Sequence, residues 1–205
     1  MPGGTRKGRP VPISILPQRL PRNLEDSLGR FVARFGVTPN MVSIVGLGGN
    51  IGCAWLIVEG QLLLAGIAYL FFSALDLVDG AVARATGQAT PYGAVLDAVL
   101  DRASEGVVLA GCAWYFADRQ EWWQLGFTFA AIFGSVAVSF TRALTEVEGL
   151  QLREGIFRRQ ERVVVLGLGL LLNGLTIVVG VIAVLSNLTA VQRAWIGAES
   201  LRGRA

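Results

Sequence analysis

The stretch from Asp76 to Asp101, DLVDGAVARATGQATPYGAVLDAVLD, decides how the chain reads. Its four carboxylates, Asp76, Asp79, Asp97 and Asp101, sit inside two apolar segments, Ile67 to Ala85 and Tyr92 to Trp114. An aspartate at the centre of a membrane helix costs about 2.5–3.5 kcal/mol on insertion scales. Four of them, with Arg84 as the one arginine among them, need a strong counter-charge. Bound divalent cations supply it most simply.

The spacing says how cations could be held. Asp76 and Asp79 are i, i+3 on a helix and share a face, with Gly80, Ala83 and Arg84 nearby. Asp97 and Asp101 are i, i+4 and share a face with Gly93. The stretch Thr86-Gly-Gln-Ala-Thr-Pro91 reads as a turn that folds the second helix back on the first. Gly80, Ala83 and Gly93 are small enough to let the two helices approach closely, so the four carboxylates are expected to converge on one pocket. An all-oxygen ligand set suits a hard metal such as Mg²⁺ or Mn²⁺, and two such ions could support displacement at a phosphoryl group. Helix caps on a soluble surface are the first alternative, which the apolar flanks oppose. A proton or ion relay in a transporter is the second, and it leaves Gly80, Ala83, Arg84 and Gly93 without a reason to stand at these offsets.

These residues resemble the signature of the CDP-alcohol phosphatidyltransferase family, D-x2-D-G-x2-A-R-x8-G-x3-D-x3-D. Asp76, Asp79, Gly80, Ala83, Arg84, Gly93, Asp97 and Asp101 meet every fixed position. Thr38-Pro39-Asn40-Met41-Val42-Ser43 is similar to the family's entry to its first membrane helix, and the likeness covers roughly Val37 to Val165. The resemblance implies a transfer of the phosphatidyl group of CDP-diacylglycerol, or a similar CDP-lipid, to an alcohol, with release of CMP. It implies two ions, Mg²⁺ or Mn²⁺, bridged by Asp76 and Asp97, with Asp79 completing one site and Asp101 the other. Asp101 is also the implied general base. Gly80 and Arg84 would lie against the diphosphate and cytidine, and Asn40, Met41, Val42, Ser43 and Thr90 match further CDP-lipid contacts. Asn40 and Thr90 read equally well as helix caps. Members of the family commonly pair as homodimers, so a second copy is an expected partner beside the bilayer, the CDP-lipid and the acceptor. No nucleic acid is expected.

Composition agrees with a membrane setting. The chain has 205 residues, 53% hydrophobic and only 16% charged, which reads as a small all-α polytopic helical bundle. Residues 1–21, rich in Pro, Gly and Arg without an apolar core, read as a basic disordered tail ahead of a membrane domain over 22–205. There is no histidine, which removes Ser-His and Cys-His catalysis and His-ligated metals. The one lysine is Lys7 in the tail, so a carboxylate is the best general base. Cys53 and Cys112 fall in apolar segments and read as buried free thiols.

Six apolar spans are expected, Asn40–Val58, Leu62–Ala85, Tyr92–Ala117, Trp122–Leu144, Glu161–Leu172 and Gly174–Trp195. Asn173-Gly174 is the turn signal that separates the last two; one span from Val163 to Leu185 is the alternative and would make five. Charge favours six. Of the 18 Arg and Lys residues, all but Arg119 fall before the first span, around the Asp-rich turn, in or beside the segment between spans four and five, or at and beyond the end of the last. The positive-inside rule then puts both termini and the aspartate pocket on the cytoplasmic side of the cell membrane. Asn23 to Phe35 reads as an interfacial helix, with Leu24, Leu28, Phe31, Val32 and Phe35 on one face. Trp122, Trp123 and Trp195 suit interfacial belts.

Arg142, Arg153, Arg158, Arg159 and Arg162 form a cluster that reads as an anion site for a phosphorylated acceptor, since Arg binds phosphate with two parallel bonds. Topology and lipid headgroups are the alternative reason for it. Phe140 to Glu146 and Gly155 to Arg162 resemble the phosphatidylinositol-phosphate synthase-like members of the family, which use inositol phosphate. Those members typically show Lys-Ala-Arg-Ala-Glu where this chain has Arg142-Ala143-Leu144-Thr145-Glu146, so Leu144 stands in place of an arginine. Glycerol 3-phosphate is the rival acceptor, as in a phosphatidylglycerophosphate synthase. A silent membrane scaffold or a small transporter is the rival of another class, and the intact set of four aspartates opposes silence.

Overall fold

The computed structural model describes residues 38–85, 87, 90–150 and 155–202, with Phe31, Arg34 and Gly36 ahead of them; the side chains of 76–79, 81 and 85 are outside that set. The basic tail, nearly all of the expected interfacial helix and Arg153 therefore lie outside the described residues. Six helices follow one another among those residues: α1 Pro39–Val58, α2 Leu62–Ala85, α3 Pro91–Asp118, α4 Trp122–Val147, α5 Arg159–Leu171 and α6 Leu175–Arg202.

Local chemistry sets their ends. Thr38 caps α1, its Oγ1 accepting from the Met41 N–H at 3.4 Å, and Pro39 takes the first helical position. Thr90 and Pro91 repeat the device on α3, where Thr90 Oγ1 accepts from the Gly93 N–H at 3.0 Å. Both starts use a hydroxyl for an orphan N–H and a proline where no donor is needed. Asn173, at φ 54, closes α5 in the left-handed region. That break divides the last apolar stretch into two helices and rules out a single span from Val163 to Leu185. The first three helices end within one residue of the apolar segments. Helices α4 and α6 run past theirs, to Val147 and Arg202, because their last turns are polar helix rather than apolar helix.

The helices pack as a closed ring. Principal packing runs from α1 to α2, α2 to α5, α5 to α6, α6 to α4, α4 to α3, and α3 back to α1. Close approach is set by glycines at these seams. A Cβ at Gly111 of α3 would meet the Ala54 Cα of α1 at 2.9 Å, and one at Gly134 of α4 would meet the Ser186 Cβ of α6 at 2.8 Å. The core of Cys53, Ile57, Tyr69, Leu109, Phe116, Leu166, Val179 and Ile182 fills the ring.

The expected close approach of α2 and α3 at Gly80 and Gly93 is not among these seams. Each of the two helices packs on α1 instead. The nearest described atoms to a Cβ at Gly80 belong to the Arg84 guanidinium of its own helix, and a Cβ at Gly93 would meet Thr90 Oγ1 and Asn40 Oδ1. Neither glycine marks a seam between α2 and α3 among the described residues.

Large apolar side chains cover the outside. Trp55, Phe71, Phe133, Ile177, Leu188 and Trp195 are all exposed, while Asn50, Thr128, Ser186 and Thr189 are buried. That inverted surface is what a bilayer demands, and Trp122 and Trp123 are likewise exposed. The expectation of six transmembrane helices is met only in part. By length and apolar composition α1, α4 and α6 qualify as spans among the described residues. Helix α3 fails because Asp97, Asp101, Arg102 and Glu105 fill its first half. Helix α5, at 13 residues, rises only about 20 Å against a hydrocarbon core of about 30 Å. In α2 only Leu62–Leu75 is apolar throughout. Cys53 and Cys112 are buried and unpaired with each other.

Candidate active site

The two Thr-Pro helix starts meet. The Cβ position at Gly93 lies 3.2 Å from Thr90 Oγ1 and 3.7 Å from Asn40 Oδ1. Thr38 takes the cap of α1, so Asn40 falls within the first turn. The structure thereby gathers Asn40, Thr90 and Gly93, which are far apart in sequence, at one end of the ring. Of the neighbouring candidates, Met41 is exposed, whereas Val42 and Ser43 are buried, the Ser43 hydroxyl donating to Pro39 O at 3.3 Å. Gly80 and Arg84 come together on α2, the guanidinium Nη1 lying 3.2 Å from where a Cβ of residue 80 would stand.

Asp97 and Asp101 share a face of α3, both half-buried. Asp101 Oδ2 meets Arg159 Nη1 of α5 at 2.8 Å. Asp76 and Asp79 lie on α2 toward the same end, and their side chains are outside the described residues. Helix ends alternate around the ring. The starts of α1, α3 and α5 and the ends of α2, α4 and α6 share this end, while Gly60 and Asn173 border a cavity at the other. Arg119 belongs with Gly60, its Nη2 lying 3.1 Å from the Cβ position there.

The arginines separate by environment. Arg142 is exposed and pairs with Glu146 one turn on, Nε to Oε1 at 2.8 Å. Arg158 begins α5, its backbone N–H donating to Glu161 Oε2 at 3.0 Å. Arg159 lies beside Asp101. Arg162 is buried and grips Glu105 of α3 with two bonds, Nε to Oε1 and Nη2 to Oε2, the latter 2.9 Å. Arg153 lies outside the described residues, and Leu144 is exposed.

Two charged residues were not singled out from sequence. Arg193 of α6 is buried and donates from Nη1 to Val138 O of α4 at 3.0 Å. It is within electrostatic reach of Arg142, Arg158 and Arg162. Gly155 makes room for it, with φ at 143°, where a Cβ would come 2.8 Å from Arg193 Nε. Glu105 continues the Asp97, Asp101 series by one more helical turn, and that i, i+4, i+8 spacing was the available signal. Arg193 had a weaker signal, a lone cation between Val191 and Trp195.

The donor chemistry fits a hard divalent cation. The carboxylates at this end supply only oxygen, the two thiols are in the core, and no histidine exists. A cationic guanidinium already rests on Asp101, so the site balances positive charge there.

A family model for CDP-alcohol phosphatidyltransferase matches residues 36–194. The archaetidylinositol phosphate synthase of Pyrococcus horikoshii is 34% identical over 171 residues, covering 83% of this chain and 88% of that protein. The phosphatidylinositol phosphate synthase of Mycobacteroides abscessus is 33% identical over 181 residues, covering 83% and 81%. Among solved structures, the Mycobacterium tuberculosis phosphatidylinositol phosphate synthase with CDP-DAG bound superposes with a TM-score of 0.76 at 31% identity, over 83% of this chain and 92% of that one. The same enzyme in complex with manganese and citrate also gives 0.76 at 31% identity, over 84% and 88%. The motif, the helical ring with its apolar exterior, and these likenesses agree: the chain belongs to the CDP-alcohol phosphatidyltransferase family, membrane transferases of phospholipid synthesis that work with a divalent metal.

Proposed function

We propose that the protein moves the phosphatidyl group of CDP-diacylglycerol, or a similar CDP-lipid, to the hydroxyl of inositol phosphate and releases CMP. The observation that carries this is the 2.8 Å pair between Asp101 and Arg159. It sets a candidate general base beside a candidate phosphate-binding group, which is what a phosphorylated alcohol requires. Arg158, Arg142 and Arg193 near the same end support it, as do relatives named for inositol phosphate lipids.

Asp76, Asp79, Asp97 and Asp101 would hold the metal, Mg²⁺ or Mn²⁺ and in the two-ion form that four carboxylates suit. When bound it supplies charge neutralisation and orientation at the diphosphate. Arg84 would bear on the diphosphate, folded over Gly80. Asn40, Met41, Val42, Ser43 and Thr90 would line the nucleotide end, with Gly93 leaving room. Asp101 accepts the proton of the acceptor hydroxyl. The acceptor oxygen forms its bond to the lipid-side phosphorus as the bond from that phosphorus to the CMP oxygen breaks. Arg142, Arg153, Arg158, Arg159 and Arg162 are the candidate groups for the acceptor's phosphate.

We read the helix ring as embedded in the cell membrane, with both termini and the charged end cytoplasmic. The alternation of helix ends and the isolation of Arg119 support this. A cysteine at position 119 is then labelled from outside and one at 158 from inside, and the reverse pattern ends the topology.

The test of function is CMP release from purified protein with CDP-diacylglycerol, Mg²⁺ and a panel of inositol phosphate, glycerol 3-phosphate, inositol and serine. Inositol phosphate is expected to be the best acceptor. A win for glycerol 3-phosphate replaces the acceptor and keeps the arginine role; a win for a free alcohol removes that role too. Asp97→Asn and Asp101→Asn should each lower CMP release by orders of magnitude, because ligand and counter-charge are lost together.

A further inference from the structure

At the end of the ring away from the aspartates, α5 stops one turn short of its neighbour α2. A Cβ at Gly66 of α2 would meet the Leu171 backbone nitrogen of α5 at 2.9 Å and the Leu170 Cβ at 3.0 Å, so the two helices touch at that level. Helix α2 begins at Leu62, one turn further out. By then the chain after α5 has turned through the left-handed Asn173 toward α6. A groove of about 390 Å³ lies beside the first turn of α2 as a result, a volume within the range of known ligand sites. Leu63, Leu64 and Leu171 wall it, and Gln61 and Asn173 supply its polar groups. Leu63 and Leu64 are also exposed on the outside of the ring, so the groove opens toward lipid.

A fixed cation stands at its rim. The Arg119 guanidinium lies over the Tyr115 ring, 3.7 Å from the centroid, and Nη1 donates to Tyr115 O at 3.2 Å. Nη2 comes 3.1 Å from the Cβ position of Gly60, which borders the groove. Gly60, at φ 75, leaves that space. Asp118 stays 3.9 Å from Nη1 and is largely exposed, a contact that water screens. Nη2 makes no hydrogen bond among the described residues. The ring contact and the backbone bond thus hold the guanidinium in place while Nη2 keeps its donors for an acceptor from outside the chain.

The two halves of this site ask for different chemistry. A soluble anion would use Nη2 and leave the leucines in contact with nothing of its own. A plain hydrocarbon would use the leucines and leave the cation unmatched. A phospholipid answers both, with an anionic phosphate at one end and acyl chains at the other. Depth agrees. Helix α5 rises only about 20 Å, short of the hydrocarbon core, and a headgroup drawn in over its end relieves that mismatch.

We infer that this groove binds a phospholipid of the leaflet bordering that end of the ring. Its phosphate rests on Arg119 Nη2, its glycerol esters meet the Gln61 and Asn173 amides, and the start of an acyl chain runs along Leu63 and Leu64. This lipid is not a substrate. It sits at the opposite end of the ring from the aspartates and ties the turn before α2 to the turn after α5.

The test uses the full chain in phosphatidylcholine nanodiscs that carry a trace of phosphatidylglycerol with a diazirine beside its ester carbonyl. Illumination and peptide mapping should place label on residues 60–64 and 170–173. Arg119→Gln should lower that label about tenfold, through loss of a charge-assisted contact, and Arg119→Lys should restore most of it. Leu64→Trp, which fills the groove, should lower it to a similar extent; if that variant does not fold, Leu63→Trp replaces it. CMP release should change by less than about twofold in each. Added phosphatidylglycerol should raise the unfolding midpoint of the unaltered protein in detergent, and raise that of Arg119→Gln much less. Absence of label from the groove overturns the proposal. So does equal label in Arg119→Gln, or equal label from a diacylglycerol with the same diazirine, since either would mean a groove for chains alone. Displacement of the label by soluble glycerol 3-phosphate would mean a site for a free anion and overturns the lipid occupant.

Discussion

The end of α4 and the start of α5 each carry an arginine bound to a glutamate, and the two contacts are physically opposite. Arg142 and Glu146 are one turn apart on the same helix, 56% and 46% exposed. Arg162 and Glu105 are 57 residues apart on facing helices and almost wholly buried. Water screens the first pair and both partners keep their hydration without it, so it contributes about 0–1 kcal/mol. Loss of one partner from the second strands a charge where no water reaches. The residue types are identical, so burial and the origin of the partner decide what each arginine does.

The largest effect should follow Arg162→Ala. An uncompensated Glu105 in the ring interior is expected to cost about 3–5 kcal/mol, read as a lower unfolding midpoint in detergent. A loss within the range of a surface pair would erase the contrast. Arg159→Ala should come next. The loss of a charge-assisted phosphate contact, about 1.5–3 kcal/mol, is expected to raise the acceptor KM roughly 10- to 100-fold and leave the CDP-lipid KM near its starting value. Equal shifts in both would mean that Arg159 serves the whole site. Arg142→Ala should be the mildest for stability, under about 1 kcal/mol, and that small effect should fade further in high salt. The Arg162 effect should persist at the same salt concentration, because a buried pair is little screened.

Much of the bundle was legible in one dimension because its signals are local. Thr90 and Asn173-Gly174 mark helix ends through a cap and a left-handed turn, and helices begin and end there; at the first helix the cap is Thr38, two residues before the Asn40 that sequence offered. The aspartate motif was legible because i, i+3 and i, i+4 spacings describe one face of one helix. The order of helices around the ring was not, since periodicity says which face is buried but not against what. Gly80 and Gly93 were expected to close a seam between α2 and α3, yet the seams run through Gly111 and Gly134. The contact between Arg162 and Glu105 was not legible, because the two residues lie 57 positions apart on different helices. Arg193 read as a flanking charge because its partner, the Val138 carbonyl, lies on another helix.

The closed ring has a consequence for biosynthesis. Chain order and ring order disagree, for α5 and α6 must enter between α2 and α4 after α4 has already been made. Until then α2 lacks a neighbour, and the Glu105 carboxylate has left the ribosome 57 residues ahead of the arginine that answers it. At about 5–20 residues per second that is an interval of seconds. The nascent bundle becomes charge-balanced only when its last hairpin, α5 with α6, inserts. A chain released before that point carries an unanswered carboxylate in lipid, the kind of defect by which a membrane quality-control system can tell an unfinished copy from a finished one.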